Sequence, residues 1–300
     1  MNLKQFRYAL VLDSVRSVSR AAEILGISQP SLSQYLKKTE AEVGAVLFDR
    51  SGNEIKPTDA GREFIEAGKK ILDAERQMKL SLQDISDDKS GTLRIGTSSH
   101  RAITLMPESL RRFRKVYPGI RVFVDEQPIA NLLDGLLHGD FDLCVLPAPA
   151  DDHLFVSDEI LTEEIILAAP KDLSPKTESI PGRRHPAVDF SILDGADVIT
   201  LFDFYLMQRL LDETCRNEKI SFSTHVTCCG IETQLAMVKH GLGVALVPSG
   251  ADMTEDDSLS FYSFVQELPR RKIIAVRRKG QYCSRPMTEI IRIMKSIDKT

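Results

Sequence analysis

The stretch 17–36, SVSRAAEILGISQPSLSQYL, predicts two short helices joined by a tight turn. Ser19 is a favourable N-cap residue for the first helix. Gly26 stands where a helix commonly ends in the left-handed conformation. Ser28 and Pro30 are typical of the cap and the first turn of a second helix. A two-helix unit whose second helix has a polar outer face is the form that enters the major groove of DNA.

The second helix carries residue types that contact the bases or the phosphates of DNA. Its apolar residues Leu32, Leu36 and Val43 are predicted to point inward. Glutamine and serine hydrogen-bond to base edges, whereas lysine binds phosphate. The alternative is an ordinary helical hairpin with a solvated polar face. The predicted DNA-contacting residues are Ser28, Gln29, Pro30, Ser31, Ser33, Gln34 and Lys37.

A β-hairpin is predicted directly behind this unit, from extended runs at 46–50 and 54–57 around a Ser-Gly-Asn turn at 51–53. A hairpin in this position is a wing. Its cations Arg50 and Lys56 are predicted to contact the DNA backbone.

A long helix is predicted over 59–85, with Thr58 as its cap. Its apolar residues recur with a seven-residue spacing that is typical of a coiled-coil pairing face, with Glu75 as an interruption. The alternative is a helix packed on its own domain. The predicted pairing residues are Phe64, Ile71, Met78, Leu82 and Ile85.

This segment resembles the LysR-type transcriptional regulators. The resemblance is carried by Phe6, SRAAEIL at 19–25, SQPSLS at 28–33, Glu40, Gly44, LFDR at 47–50 and TDAG at 58–61. Thr39 and Pro57 depart from the family pattern, and both lie away from the base-reading face. The resemblance implies a transcription regulator that binds double-stranded operator or promoter DNA, with RNA polymerase as a partner. It also implies a homotetramer made of two dimers, of which the sequence itself supports only the homodimer.

The charge is unevenly distributed. The whole chain has a formal charge of −4, whereas residues 1–58 hold eight Lys/Arg against six Asp/Glu, a charge of +2. This balance suits a DNA binder whose cations are placed at particular contacts. The sequence shows no secretory signal and no apolar run near about twenty residues, so we expect a cytoplasmic protein without a membrane partner.

Strands and helices alternate after a polar hinge predicted at 87–91, which favours a mostly parallel sheet with helices on both faces. Strands are predicted at 92–96, 120–124, 141–145, 165–169, 198–201, near 226, at 244–247 and at 272–276. Helices are predicted at 107–116, 129–138, 206–216, 232–240 and 286–297.

Residues 91–300 resemble the effector-binding domain of the same family, which has the fold of periplasmic binding proteins. The matching motifs are LRIG at 93–96, YPG at 117–119, GDFDL at 139–143 and VKHGLGVA at 238–245. The resemblance implies an α/β protein with a winged helix-turn-helix at 1–58, a linker and dimerisation helix at 59–86, and an effector-binding domain at 92–300. Subdomain I would comprise 92–161 and 268–300, and subdomain II 162–267, with crossovers near 161–167 and 261–268.

Ligands of such sheets bind at the carboxyl ends of the strands, which selects a set of candidates. Hydroxyl groups at a helix start favour a carboxylate or another anion as the small-molecule effector, and the aromatic residues allow an apolar tail. Helix capping is the alternative for the hydroxyl groups, and a solvated loop position is the alternative for the histidine. The predicted effector-binding residues are Thr97, Ser98, Ser99, His100, Gln127, Pro128, Leu146, Phe202, Phe204 and Cys228.

Five cysteines in a chain with no secretory signal argue against a disulfide framework. A redox-responsive regulator that uses Cys215, Cys228 and Cys229 is the alternative function. Phe204 and Tyr205 occupy the loop in which the peroxide-sensing branch of the family keeps its reactive cysteine. The sequence contains no catalytic motif, so we expect a protein that is not an enzyme, with no metal site and no cofactor.

Overall fold

Three helices and a two-stranded hairpin form the N-terminal domain in the computed structural model, which describes residues 1–51, 54–86, 90–253 and 257–297. The helices are α1 (Leu3–Val15), α2 (Val18–Ile24) and α3 (Gln29–Val43). The antiparallel strands β1 (Phe48–Asp49) and β2 (Lys56–Pro57) form the predicted wing, whose turn residues 52 and 53 lie outside the described residues.

Caps set the start of each helix in this domain. Ser17 accepts a hydrogen bond from the Arg20 N–H, so Ser17 caps α2, and the prediction of Ser19 was wrong because Ser19 already lies inside the helix. Gly26 has a φ of +65°. The Ser28 side chain accepts from the Ser31 N–H, with a proline in the first turn of α3, as predicted.

A shared apolar core holds these helices together. Leu32 and Leu36 are buried in it, as predicted. Val43, the last residue of α3, is 36% exposed, so the prediction that it points inward was wrong. Val43 is the last residue before the Gly44 C-cap and lies beyond the part of α3 that packs in the core.

Helix α4 (Asp59–Ile85) has the predicted bounds and the predicted Thr58 cap. Phe64 stacks on Phe6 of α1 at 4.8 Å and is buried in the N-terminal core, so it does not belong to a pairing face. The rest of the predicted face is uncovered in the single chain: Ile71, Met78, Leu82 and Ile85 are 39%, 55%, 55% and 80% exposed.

The first α/β unit, lobe I, has a five-stranded sheet and four helices. Its elements are β3 (Ser90–Thr97), α5 (Ser99–Thr104), α6 (Met106–Val116), β4 (Gly119–Glu126), α7 (Ile129–His138), β5 (Leu143–Pro147), β6 (Phe155–Glu163), β13 (Arg271–Arg278) and α10 (Arg285–Ile297). The sheet has the order β4-β3-β5-β13-β6. Strands β3, β4 and β5 are parallel, whereas β13 is antiparallel to both β5 and β6.

The second unit, lobe II, holds a four-stranded sheet and a separate pair of short strands. Its elements are β7 (Ile165–Pro170), β8 (Ala187–Val188), β9 (Thr200–Leu201), α8 (Leu206–Glu218), β10 (Thr227–Cys228), α9 (Ile231–Lys239), β11 (Ala245–Pro248) and β12 (Leu259–Phe264), with short 3-10 helices at Phe190–Leu193 and Ser249–Met253. The sheet has the order β11-β7-β12-β8, and β9 pairs with β10.

The two sheets are less parallel than predicted. In lobe I, β13 runs antiparallel to β5 and β6, and in lobe II, β7 runs antiparallel to β11 and β12. The crossings fall between Glu163 and Ile165 and between Phe264 and Arg271. Of the predicted hinge, residues 87–89 lie outside the described part, and Ser90 and Gly91 already belong to β3.

Charged groups attach α4 to lobe I. The buried Asp73 carboxylate accepts hydrogen bonds from Arg76 Nη2 at 2.7 Å and from Arg278 of β13. Arg76 also donates to Asp142, next to the start of β5. A Cβ on Gly139 would lie 2.6 Å from this carboxyl group, so the helix and the lobe are in close contact here. Among the described residues, no helix is both long and apolar enough to cross a membrane.

Candidate functional site

A cavity of about 540 Å³ is lined by residues of both lobes. Its volume falls within the range of about 300–1,000 Å³ that is typical of small-molecule sites. Lobe I contributes the loops that follow β3, β4 and β5, and lobe II contributes the starts of α8 and α9. The lining residues are Ser98, Ser99, His100, Ile103, Glu126, Gln127, Pro128, Ile129, Pro147, Leu201, Tyr205, Leu206, Met207, Cys229, Gly230, Ile231, Glu232, Thr233 and Arg271.

Three helices of at least nine residues begin at this cavity: α7, α8 and α9. Their N-cap residues are Pro128, Tyr205 and Gly230, and none of these described residues caps its helix with a side-chain hydrogen bond. The first N–H groups of a helix lack partners within the helix. The cavity therefore offers several backbone donors to an acceptor on a ligand.

A buried ion cluster lies where the chain crosses between the lobes. Glu163, the last residue of β6, accepts a hydrogen bond from Arg271 Nε at 2.8 Å and further hydrogen bonds from Arg101 Nη2. The side chains of Arg101, Glu163 and Arg271 are 3%, 4% and 10% exposed. Arg271, the first residue of β13, also lines the cavity. One carboxylate thus faces two guanidinium groups at the base of the cleft.

A second polar contact bridges the two lobes. His100 Nδ1 on α5 lies 3.0 Å from Glu232 Oε1 on α9. Burial lowers the pKa of His100 and outweighs the hydrogen bond to Glu232, so the imidazole is neutral near pH 7. Burial alone would raise the pKa of Glu232, but the hydrogen bond from His100 brings the net pKa below its ordinary value. The pair is therefore a neutral imidazole that donates to a carboxylate.

The structure brings together five of the predicted effector-binding residues. Ser98, Ser99, His100, Gln127 and Pro128 all line the cavity. His100 is 5% exposed and lies in α5, so the alternative of a solvated loop position was wrong. The His100 side chain reaches from α5 to the start of α9, where it bonds to Glu232.

The other five predicted residues lie outside the cavity lining. Thr97 is fully buried and donates to the Val145 carbonyl, and Leu146 is buried in the apolar core of lobe I, because alternate residues of a strand face opposite sides. Phe202 and Phe204 stack on each other at 5.6 Å and are 41% and 64% exposed. Cys228 is buried, and its thiol contacts the Gly230 carbonyl.

Neighbours of the predicted residues line the cavity in their place. Pro147 follows Leu146 and Cys229 follows Cys228, so a shift of one residue along the chain explains these two errors. Glu126, which precedes the correctly predicted Gln127, also lines the cavity. Glu232 and Thr233 could have been found from the first turn of the predicted helix at 232–240. Arg271 has no local signal, because its place in the cleft depends on the pairing of β13 with β6.

Three of the cysteines have environments that disfavour a thiolate. Burial raises the pKa of Cys144 to about 12 and that of Cys215 to about 11. Burial also raises the pKa of Cys228. Cys229 is exposed and lines the cavity. Within the described ranges, no group of His, Cys, Asp and Glu side chains is arranged to hold a metal ion.

The N-terminal half of α3 and its cap present most of the predicted DNA-contacting residues at the surface. Gln29, Gln34 and Lys37 are exposed, and Ser33 is half-buried. Ser28 and Ser31 are also exposed, but their hydroxyl groups lie 2.7 Å apart and hydrogen-bond to each other. Pro30 and Lys56 are exposed as well.

Arg50 is tied to the domain by an ion pair. Its Nη2 donates to Glu40 Oε2 at 3.2 Å, while Glu40 Oε1 accepts from the Leu47 and Phe48 N–H groups. Glu40 thus holds the base of the wing against α3, and Arg50 stays 35% exposed for a contact outside the domain.

Both parts of the chain match models of one protein family. The model described as "LysR substrate binding domain" matches residues 86–297. The model described as "Bacterial regulatory helix-turn-helix protein, lysR family" matches residues 3–62. The chain belongs to the LysR family of transcriptional regulators.

Two regulators are similar in sequence to nearly the whole chain. YcgK of Bacillus subtilis (strain 168), an HTH-type transcriptional regulator, is 30% identical over 95% of this chain and 91% of its own length. The hydrogen peroxide-inducible genes activator of Dickeya chrysanthemi is 26% identical over 93% of this chain and 90% of its own length.

The fold is shared with a solved structure of the family. Full-length CbnR in complex with its target DNA covers 99% of both chains with a TM-score of 0.72 at 19% identity. This LysR-family chain thus combines a DNA-binding helix-turn-helix with an effector-binding domain, as the sequence predicted. The family is one of transcriptional regulators rather than enzymes.

Proposed function

We propose that this LysR-type regulator binds operator DNA as a dimer or a pair of dimers, and that a small carboxylate or another anion in the cleft between its lobes controls that binding. In the DNA complex, Gln29, Pro30, Ser33 and Gln34 read base edges in the major groove. Lys37, Arg50 and Lys56 contact phosphates. The protein acts where chromosomal DNA is, in the cytoplasm.

The exposed polar face along the N-terminal half of α3, on a domain that matches the family's helix-turn-helix, is the observation that carries the DNA-binding part. The exposed apolar residues of α4 supply a surface on which two chains can pair. Pairing places two copies of α3 on one DNA molecule. Half-sites are then spaced by about one helical turn, roughly 34 Å, or a multiple of it.

The cavity supports the effector part of the proposal. Because its walls belong to two lobes joined by two crossing segments, a ligand that contacts both lobes favours a closed arrangement over an open one. A ligand shifts such an equilibrium only by its difference in affinity for the two arrangements. Closure changes the placement of paired subunits and hence the bend of the DNA, which RNA polymerase then senses.

The DNA-binding part can be tested by selecting sites from random duplexes with the full chain. Gln29→Ala should relax the preference at one base pair and cost about 1–3 kcal/mol on the selected site if its contact is bidentate. Lys37→Gln is the matched comparison, because loss of a phosphate contact weakens all sequences alike and lowers the salt dependence by about one ion. Equal weakening of selected and random DNA by Gln29→Ala would show that Gln29 does not read bases.

A redox-responsive regulator stays the second candidate, since one similar protein is named as a hydrogen peroxide-inducible genes activator. Cys229 is exposed at the cavity, which favours this alternative. The raised pKa values of Cys215 and Cys228 disfavour it, because the thiolate is the reactive form. Peroxide added during operator binding separates the two: a reversible change lost in Cys229→Ser supports redox sensing.

A further inference from the structure

The ion cluster at the crossings leaves hydrogen-bond donors of Arg271 unused within the described part of the chain. Its charges are nevertheless matched by two carboxylates: Glu163 pairs with both arginines, and the charge of Glu232 acts on Arg101. Arg101 and Arg271 share one carboxylate, that of Glu163, and all three side chains are at most 10% exposed. Burying a charge is costly unless it is paired. Arg101 donates through Nη2 to both oxygens of Glu163, whereas Arg271 uses only Nε. Among the described residues, no protein acceptor engages the two Nη groups of Arg271.

Arg271 is the member of this cluster that lines the cavity. Its side chain is held from behind by the 2.8 Å hydrogen bond to Glu163, so the guanidinium is fixed before a ligand arrives. A guanidinium whose Nη groups are available binds a carboxylate through two parallel hydrogen bonds. The N-termini of α8 and α9, and the Thr233 side chain on α9, contribute to the same cavity.

We propose that Arg271 is the anion anchor of the cleft and binds the carboxylate of a small monocarboxylate effector with an apolar body. The proposal deepens the effector part of the proposed function and rests on it. Glu126 and Glu232 also line the cavity, which makes a second carboxylate on the ligand unfavourable. The remaining lining is largely apolar, with Ile103, Leu206 and Met207 among its members.

The position of Arg271 places the charge of a bound ligand at the crossings between the two lobes. Arg271 begins β13 just after the second crossing, and Glu163 ends β6 just before the first. The hydrogen bond between them therefore joins the two crossing segments at one point. An anion on Arg271 changes the charge balance of that point directly, so the effector is sensed where the lobes move relative to each other.

The test uses the full chain and two isosteric probes, phenylacetate and the neutral phenylacetamide, by titration calorimetry. Wild type should bind phenylacetate at least about tenfold more tightly than phenylacetamide, since a hydrogen bond to a charged group contributes about 1.5–3 kcal/mol, or about 10- to 100-fold. Arg271→Gln should remove this preference. Arg270→Gln is the matched control, because Arg270 is 57% exposed, pairs with Glu164 and does not line the cavity.

Arg271→Lys covers the case in which Arg271→Gln fails to fold. Lysine keeps the charge but not the planar fork, so phenylacetate affinity should fall by about tenfold while the preference over the amide persists. The proposal is overturned if wild type binds neither probe, if it binds both equally, or if either Arg271 variant binds phenylacetate as wild type does. Binding of sulfate that depends on Arg271, without binding of phenylacetate, would assign the site to an inorganic oxyanion and overturn the carboxylate.

Failure of this proposal and failure of the proposed function give different results. Selection from random duplexes reports sequence-specific DNA binding independently of either probe. If no DNA site is selected but wild type still prefers phenylacetate over phenylacetamide, the proposed regulator function is refuted and the role of Arg271 is supported. If a DNA site is selected but wild type shows no preference for phenylacetate, the role of Arg271 is refuted and the proposed DNA-binding function is supported.

Discussion

Replacing Asp73 with Asn should loosen α4 from lobe I while leaving both in place. Asp73 is 5% exposed and accepts hydrogen bonds from Arg76 and Arg278. The amide keeps the shape of the carboxyl group but lacks its charge, so both guanidinium groups lose an anionic partner. Arg76 retains Asp142, and Arg278 retains the Leu137 carbonyl at 2.9 Å.

The expected cost follows from the burial of these partners. Breaking a buried ion pair costs about 3–5 kcal/mol when the remaining charge is fully enclosed. The Arg76 and Arg278 side chains are 22% and 23% exposed, which lets water compensate part of the loss. We therefore expect a loss of about 3 kcal/mol in the free energy of opening this contact, the low end of that range.

Hydrogen–deuterium exchange of the full chain measures this opening. A loss of about 3 kcal/mol corresponds to exchange about 100-fold faster for amides in the C-terminal half of α4, while the N-terminal domain is unaffected. Asp59→Asn is the matched control on the same helix, because Asp59 is 96% exposed and an exposed pair contributes at most about 1 kcal/mol. Exchange in Asp73→Asn within about threefold of wild type would refute the reasoning, since the ion network would then not hold the helix.

Two further expectations concern the same helix. Leu82→Asp should raise the dimer dissociation constant by about 100-fold or more, because the pairing face loses an apolar side chain from each chain and gains a charge in its place. Sedimentation velocity measures this change. Ile24→Asp is the control, because Ile24 is an apolar residue of comparable exposure outside the pairing face. Acidification should also open α4: although burial alone would raise the pKa of Asp73, hydrogen bonds from Arg76 and Arg278 hold it below its usual 3.8. A carboxyl group with a lowered folded-state pKa contributes stability above its unfolded pKa and loses it as the pH falls through the folded value. Burial raises the pKa of Asp142, which also pairs with Arg76, but wild type and Asp73→Asn share that group. Exchange in α4, corrected for its intrinsic rate, should therefore accelerate below about pH 4 by more in wild type than in Asp73→Asn. An equal pH response of wild type and Asp73→Asn would assign the acid effect to other carboxyl groups.

Local sequence signals predicted the helices well. The bounds of α4 and α7 agree with the sequence prediction, because Thr58 caps the first and Gly139, with a φ of +79°, ends the second. The bounds and directions of strands were predicted less well where they depend on pairing with a strand that is distant in sequence. β9 covers only Thr200–Leu201 of the predicted 198–201, and the antiparallel pairing of β6 with β13 has no local signature.

The sequence predicted those residues of the candidate site that directly follow a correctly placed strand. Ser98, Ser99 and Gln127 line the cavity because they follow β3 and β4 at the edge of a parallel sheet. Phe202 also follows its strand, yet it stacks on Phe204 outside the cavity, since side-chain direction in a loop depends on packing that periodicity does not encode. Arg271 could not be predicted, because its cavity position needs Glu163, which lies 108 residues away in sequence.

One strand links the two ionic contacts described above. β13 begins with Arg271 at the cavity and ends with Arg278, which donates to Asp73 of α4. Seven steps along a strand span roughly 23 Å, so the proposed anion anchor and the attachment of the linker helix are held by one rigid element. Proximity on a strand does not by itself amount to coupling, which requires an element with two arrangements that both sites bias. The crossings at Glu163 and Arg271 supply such an element if the lobes close on a ligand, because β13 then moves with one lobe and carries Arg278 and α4 with it. If the proposed anchor binds the effector, the signal would pass from the charge at Arg271 through β13 to Arg278, Asp73 and α4, which connects to the DNA-binding domain.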